Sequence, residues 1–259
     1  MRAAFDPLRE LCEIEQDSRN TSVFRKTMPV PGRILPLLLQ EGAGAPRALT
    51  ITVAQAVIAG WTGRDAQAVE KHIKELEALG VKRPATTPIF YRVGAARLTI
   101  DASIEVLGEK SSGEVEFVLL QTQGVLWVGT GSDHTDREVE AYGVSVSKQL
   151  CEKPIAPLFW RFDDVAAHWD RLMLRSYATI GGTRALYQQG PVSAMRHPED
   201  LLARFDRNGL SDGTLMFCGT LPVHGGLRPA QRFEFELEDT VKGRKIQHCY
   251  DVVSLPIFG

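Results

Sequence analysis

Glu114-Val115-Glu116-Phe117-Val118-Leu119-Leu120 leads through a second apolar run, 125–128, into Gly129-Thr130-Gly131-Ser132-Asp133-His134-Thr135-Asp136-Arg137. In an extended strand the side chains alternate faces, so Glu114 and Glu116 share one face about 6–7 Å apart. Everything in the run after Glu116 is apolar, which predicts a strand buried on both faces with two carboxylates at its mouth. Carboxylates in such a place repel each other and take up protons unless a cation neutralises them. The glycine-bracketed segment predicts a turn that sets Asp133 beside the two glutamates. Three carboxylates converging on one point make a hard-cation site, with Glu114, Glu116 and Asp133 as oxygen ligands to Mg²⁺ or Mn²⁺. Surface strands also carry Glu-x-Glu on a wet face; the apolar continuation and the glycine turn favour the buried arrangement.

Upstream, 48–53 and 56–60 have strand character, and Asp65 in Gly60-Trp61-Thr62-Gly63-Arg64-Asp65 is placed to cap a helix striped by Val69, Ile73, Leu76 and Leu79. On that helix His72 and Glu75 stand at i and i+3, so their side chains can touch. Such a pair holds an imidazole in one tautomer as a general base for water. The charged set Glu70, Lys71, His72, Lys74 and Glu75 equally fits a solvated helix face. Short strands are expected at 89–93, 97–100 and 103–107. Residues 1–46, interrupted by Met28-Pro29-Val30-Pro31-Gly32 and Gly42-Ala43-Gly44-Ala45-Pro46, suggest an N-terminal appendage or arm, with 47–259 as the main domain.

Downstream, a helix is expected over 138–151 with Val139, Tyr142, Val146 and Leu150 on its apolar side. Lys153-Pro154 ends it, and a lysine at that break can point back at an anion. Ser145-Val146-Ser147-Lys148 matches the S-x-x-K of serine acyl-enzymes, but no S-D-N or K-T-G partner accompanies it. A strand over 168–179 runs into Gly181-Gly182, and Pro198 occupies the favoured first position of a helix. The apolar run 213–218 leads to Gly219-Thr220, where backbone N–H groups and the Thr220 hydroxyl could receive a carboxylate. Alternation over 232–238 and a last strand over 245–253 complete a β-rich α+β pattern rather than alternating βα units.

At 259 residues, 44% hydrophobic and 24% charged, the chain can bury a substantial core. The formal charge of −2 and the lack of a Lys/Arg-rich block argue against a nucleic-acid partner. No apolar run approaches the roughly 18 residues of a membrane span, and Arg9, Glu10, Glu13 and Glu15 follow too soon for a signal peptide, so a cytoplasmic protein is expected. Cys12, Cys151, Cys218 and Cys249 are scattered without a C-x-x-C pair, which speaks against a zinc module or a disulfide framework.

In the order of these features, from about residue 57 to 253, the chain resembles the catalytic domain of the fumarylacetoacetate hydrolase superfamily. The matching features are Gly63-Arg64-Asp65, His72 with Glu75, Pro88-Ile89-Phe90, Glu114 with Glu116, Asp133 with Arg137, Lys153, and Gly219-Thr220. The resemblance implies a mixed β-roll with a few peripheral helices, a homodimer, and Mg²⁺ or Mn²⁺ held by Glu114, Glu116 and Asp133. It implies hydrolysis of a carbon–carbon bond in a β-diketo or 2-oxo acid of the acylpyruvate type. Isomerisation, hydration or decarboxylation of 2-oxo or 2-hydroxydienoic acids is the alternative, and a non-catalytic metal-stabilised binding module is a further one. His72, oriented by Glu75, would activate water, and Lys153 would offset developing charge. Arg64, Arg137, Gly219 and Thr220 would hold a small carboxylic acid substrate. The chain departs from the family pattern in its His72 spacing, in Asp65 where Asn is usual, in Lys153 preceding Pro, and in Thr220-Leu221-Pro222. These departures imply a remodelled pocket.

Overall fold

Both faces of the strand that follows Glu114 are covered, as its unbroken apolar run requires. In the computed structural model, which describes residues 32–78 and 83–258, the chain forms β1 (Arg33–Gln40), β2 (Arg47–Val53), β3 (Gln55–Gly60), β4 (Ile89–Val93), β5 (Leu98–Thr99), β6 (Ser103–Leu107), β7 (Ser111–Ser112), β8 (Val115–Thr122) and β9 (Val125–Ser132). There follow β10 (Thr135–Asp136), β11 (Lys153–Pro154), β12 (Leu158–Arg161), β13 (Leu172–Ile180), β14 (Thr183–Pro191), β15 (Thr214–Thr220), β16 (Arg232–Asp239) and β17 (Arg244–Leu255). The helices are α1 (Ala66–Ala78), α2 (Arg137–Glu140), α3 (Val144–Leu150), α4 (Asp163–Ala166) and α5 (Pro198–Phe205). None of the described helices is long and apolar enough to cross a membrane.

The fold is α+β and strand-rich. One sheet has the order β2-β1-β12-β9-β8-β15-β3-β4, and a second has the order β14-β13-β16-β17-β6. The alternation of β8 divides the core: Phe117 and Leu119 join Phe233, Phe235 and Leu237 of the second sheet. Val118 and Leu120 join Leu35, Leu37, Leu39, Phe159 and Phe217 on the opposite face. Phe117 also meets Trp169 edge-on at 5.0 Å between ring centres, a preferred aromatic geometry. β16 alternates buried Phe233, Phe235 and Leu237 with half-buried polar neighbours, as its sequence pattern predicts. Asp65 caps α1 through Oδ1, which accepts from the N–H groups of Gln67 (2.8 Å) and Ala68 (3.1 Å).

Three expectations are corrected. Part of the expected appendage is sheet: β1 pairs with β2 from Arg33 to Leu39 and buries Leu35, Leu37 and Leu39. The folded domain therefore begins before residue 47; 1–31 lie outside the described residues. Second, Gly129 and Gly131 form no turn. They lie within β9, where a Cβ at Gly129 would stand 2.7 Å from the Phe159 ring and one at Gly131 2.7 Å from that of Phe217. The reversal is instead Gln123-Gly124, with φ of 53° and 72°, as a two-residue hairpin requires. Third, the helix expected over 138–151 is broken at Gly143, and its apolar side is turned outward. Tyr142, Val146 and Leu150 are exposed, while Ser147 and Lys148 are buried.

Gln188 of β14 bolts the two sheets together. Its Oε1 accepts from Val115 N–H and Ser176 Oγ, each at 2.9 Å, and its Nε2 donates to Thr220 Oγ1 (2.8 Å) and Leu221 O (2.7 Å). Truncating it to alanine leaves buried groups unpaired, so Gln188→Ala is expected to cost about 1–3 kcal/mol in urea unfolding. A loss below about 0.5 kcal/mol would show that water satisfies these groups instead.

Candidate functional site

β8 and β9 are neighbours in register, with Glu116 opposite Gly131 and Val115 opposite Ser132. This brings Asp133, just past the end of β9, to the mouth of β8, where its N–H donates to Glu114 O at 3.0 Å. Asp133 is fully buried. Its Oδ2 accepts from the Lys148 ammonium, and its Oδ1 stands 3.3 Å from Lys153 Nζ. Burial alone would raise the Asp133 carboxyl; Lys148 and Lys153 reverse this and hold it at about 2. Burial lowers the Lys148 ammonium, but Asp133 and Glu114 outweigh it and leave Lys148 firmly charged. Lys153, equally buried, is shifted down by burial and by the like charge of Lys148, with Asp133 opposing; its Nζ also donates to His134 O.

Glu116 is 3% exposed, and its Oε2 accepts from Gly219 N–H at 2.6 Å. Burial and then the charge of Asp133 lift its carboxyl well above the usual range. Glu114 pairs with Arg137 at 3.1 Å. The Arg137 guanidinium also donates to Ser112 Oγ (2.8 Å) and Glu140 Oε2 (3.0 Å). Behind Asp133 a buried chain runs from Ser132 Oγ to Tyr250 OH (2.8 Å), on to His134 Nδ1 (2.8 Å), and from His134 Nε2 to Ser111 Oγ (2.9 Å). Burial first, and the charge of Lys153 next, push His134 down to about 3, so the ring is neutral.

Arg137 joins this cluster to a cleft of about 320 Å³, lined by Lys110, Ser112, Arg137, Glu138, Leu227, Arg228 and Pro229. Three cations against one carboxylate, beside two apolar side chains, suit an acid with a short apolar tail.

The structure thus brings together Glu114, Glu116, Asp133, Arg137 and Lys153, and adds Lys148. Arg64 forms a two-point ion pair with Asp170 (2.8 and 2.9 Å) and donates to Met195 O (3.1 Å), none of them members of the cluster. Gly219 and Thr220 are not open to a substrate carboxylate. The Gly219 N–H is spent on Glu116, and the Thr220 hydroxyl donates to Val115 O (2.8 Å) while accepting from Gln188. The side chains of His72 and Glu75 lie outside the described residues. Ser145 is exposed while Lys148 is buried against Asp133, so the S-x-x-K match does not form a nucleophile and its base. Tyr250, Gln188 and Lys110 carry no local sequence signal. Lys148 carried none either, since it stands off the apolar stripe of its helix, on the side that the sequence assigns to solvent.

The donor set does not fit a divalent cation as arranged. Among the described residues no three His, Cys, Asp or Glu side chains form a metal-binding group. Each of the three carboxylates already has a donor: Asp133 is paired with both Lys148 and Lys153, Glu114 with Arg137, and Glu116 accepts from the Gly219 N–H. A dication about 4 Å from an ammonium would meet a repulsion of about 4 kcal/mol per pair of unit charges in partly screened surroundings. Lys148 would have to leave first.

A family profile described as "Protein of unknown function (DUF2848)" matches residues 59–250. Sequence comparison with curated proteins gives no match. Among solved structures, the yeast protein ynq8, a fumarylacetoacetate hydrolase family protein, is similar at 17% identity and a TM-score of 0.55, covering 77% of this chain and 93% of its own. A Burkholderia cenocepacia protein, a candidate fumarylpyruvate hydrolase, is similar at 19% identity and a TM-score of 0.55, over 86% of this chain and 96% of its own. A 2-keto-3-deoxy-D-arabinonate dehydratase complexed with magnesium and 2,5-dioxopentanoate is similar at 18% identity and a TM-score of 0.57, over 83% and 78%.

Proposed function

Because the chain belongs to the DUF2848 family and has the fold of fumarylacetoacetate hydrolase family proteins, we propose that it is an enzyme that hydrolyses a carbon–carbon bond in a β-diketo or 2-oxo acid of the acylpyruvate type. The observation that carries this reading is the buried cluster of Asp133, Lys148 and Lys153, beside Glu114, whose partner Arg137 lines a cleft with Lys110 and Arg228. A buried group of charges one ion pair away from a cleft is uncommon for structure alone.

In this reading Arg137, Lys110 and Arg228 bind the substrate carboxylate, and Leu227 and Pro229 take its apolar end. Water attacks the distal carbonyl carbon and gives its proton to His72, which Glu75 orients. The carbon–carbon bond then breaks, its electron pair passes to the departing enolate, and the Lys148 and Lys153 ammonium groups stabilise that negative charge until the carbon is protonated.

A second reading is favoured by the relative solved with magnesium. In it Glu114, Glu116 and Asp133 would hold Mg²⁺ or Mn²⁺ once Lys148 had moved away, and the metal would supply Lewis-acid stabilisation for a hydrolysis or an isomerisation, hydration or decarboxylation. Turnover of acylpyruvates, oxaloacetate and hydroxydienoates, each with added metal and with a chelator, separates the two. Turnover that survives the chelator supports the first and loss of turnover the second; inertness toward the whole panel leaves a non-catalytic module. For the substrate turned over, Arg228→Ala is expected to raise KM about tenfold with kcat within about twofold, the signature of lost uniform binding. An unchanged KM would remove the cleft from the substrate's path.

A further inference from the structure

We infer that the Lys148 ammonium is the resident cation of the carboxylate cluster and fills the place where Glu114, Glu116 and Asp133 would otherwise hold a divalent metal. Three observations converge on this. The Nζ of Lys148 is bonded to Asp133 Oδ2, and it lies close enough to Glu114 and Glu116 for both their charges to act on it. The helix that carries it is seated against its own hydrophobic pattern: Val146 and Leu150 are 45% and 47% exposed, while Lys148 is 6% exposed. A helix free to choose would bury Val146 and Leu150 and snorkel the lysine to water. The opposite seat is held by the charge pairing. Lys153 stands on the other oxygen of Asp133 and Arg137 on Glu114, so a dication arriving here would meet carboxylates already paired with cations.

Occupation of the cluster by Lys148 in place of a metal does not depend on the proposed reaction. Its consequence for catalysis, that the enolate is stabilised by an internal lysine, rests on that reaction.

The test is titration of the full-length chain, stripped with a chelator and desalted, with Mn²⁺ alone, followed by the loss of free Mn²⁺ signal in electron paramagnetic resonance. The wild type is expected to bind no stoichiometric Mn²⁺. Lys148→Met, which keeps the stem and removes the charge, is expected to bind one Mn²⁺ per chain at least about tenfold more tightly, and Asp133→Asn in that background to abolish the gain. Lys148→Arg, which restores a cation, is expected to abolish it too. Stoichiometric Mn²⁺ binding by the wild type, lost in Asp133→Asn, overturns the inference without any Lys148 variant. Absence of binding by a folded Lys148→Met also overturns it, since the place would then not be a cation site. Failure of the oxo-acid reading shows separately, as no turnover in the substrate panel with these titrations unchanged.

Discussion

Asp133→Ala is expected to lose about 3–5 kcal/mol of unfolding free energy, the cost of breaking a buried ion pair and stranding its partner. Here the stranded groups are two: Lys148 and Lys153 both lean on Asp133, and both are buried. Urea denaturation measures the loss, and a value under about 1 kcal/mol would mean the lysines escape to water. The same group sets the acid limb of stability. The folded Asp133 carboxyl lies at about 2 against an ordinary value of 3.8. A carboxyl lowered by folding stabilises the native state above its unfolded value and loses that contribution as pH falls through its folded value. About 2 kcal/mol should therefore disappear between pH ~4 and ~2 in the wild type, but not in Asp133→Asn. Glu116 acts in the other direction. Its folded carboxyl is raised, so its contribution is complete at low pH and declines as rising pH ionises it.

Gly219→Ala is the second large effect. Gly219 holds φ at +98°, a region that disfavours any side chain, and a Cβ there would collide with the Thr62 hydroxyl. Strain costs about 1–3 kcal/mol and overpacking about as much again. The shift also pulls the Gly219 N–H away from Glu116 Oε2. We expect a combined loss of about 3 kcal/mol or more and at least about a hundredfold fall in any oxo-acid turnover. A stable, active Gly219→Ala would mean that this N–H bond contributes nothing to the site.

The strands that enclose the core were legible because their signals are local. Phe233, Phe235 and Leu237 alternate, and Phe117 to Leu120 run unbroken, so period and burial agree. Glu114, Glu116 and Asp133 were expected together through a turn at Gly129 and Gly131, whereas the in-register pairing of β8 with β9 is what brings them there. β1 was missed because Arg33–Gln40 is apolar on both faces, contains Pro36 and is flanked by glycine and proline breaks, which hide its alternation. The Gly129 and Gly131 pair was mistaken for a turn because a glycine that permits a reversal and one that admits a phenylalanine ring look alike in sequence. Lys148 reversed the expected orientation of its helix because hydrophobic patterning has no term for a carboxylate far away in the chain. Gln188 and Tyr250 were invisible for a related reason: their partners come from the opposing sheet.

The strand order also has a consequence for the nascent chain. Leu215 lies between Ala56 on one side and Leu120 on the other. Until residues 214–220 emerge from the ribosome, two apolar strands made much earlier each present an open edge, and Glu116 lacks the amide that Gly219 supplies. Contacts so distant in sequence form slowly and leave edges exposed to other chains in the meantime. The charged centre is therefore among the last parts to be assembled, and yield on recombinant expression should depend on temperature and on holdase chaperones more than the finished protein's stability would suggest.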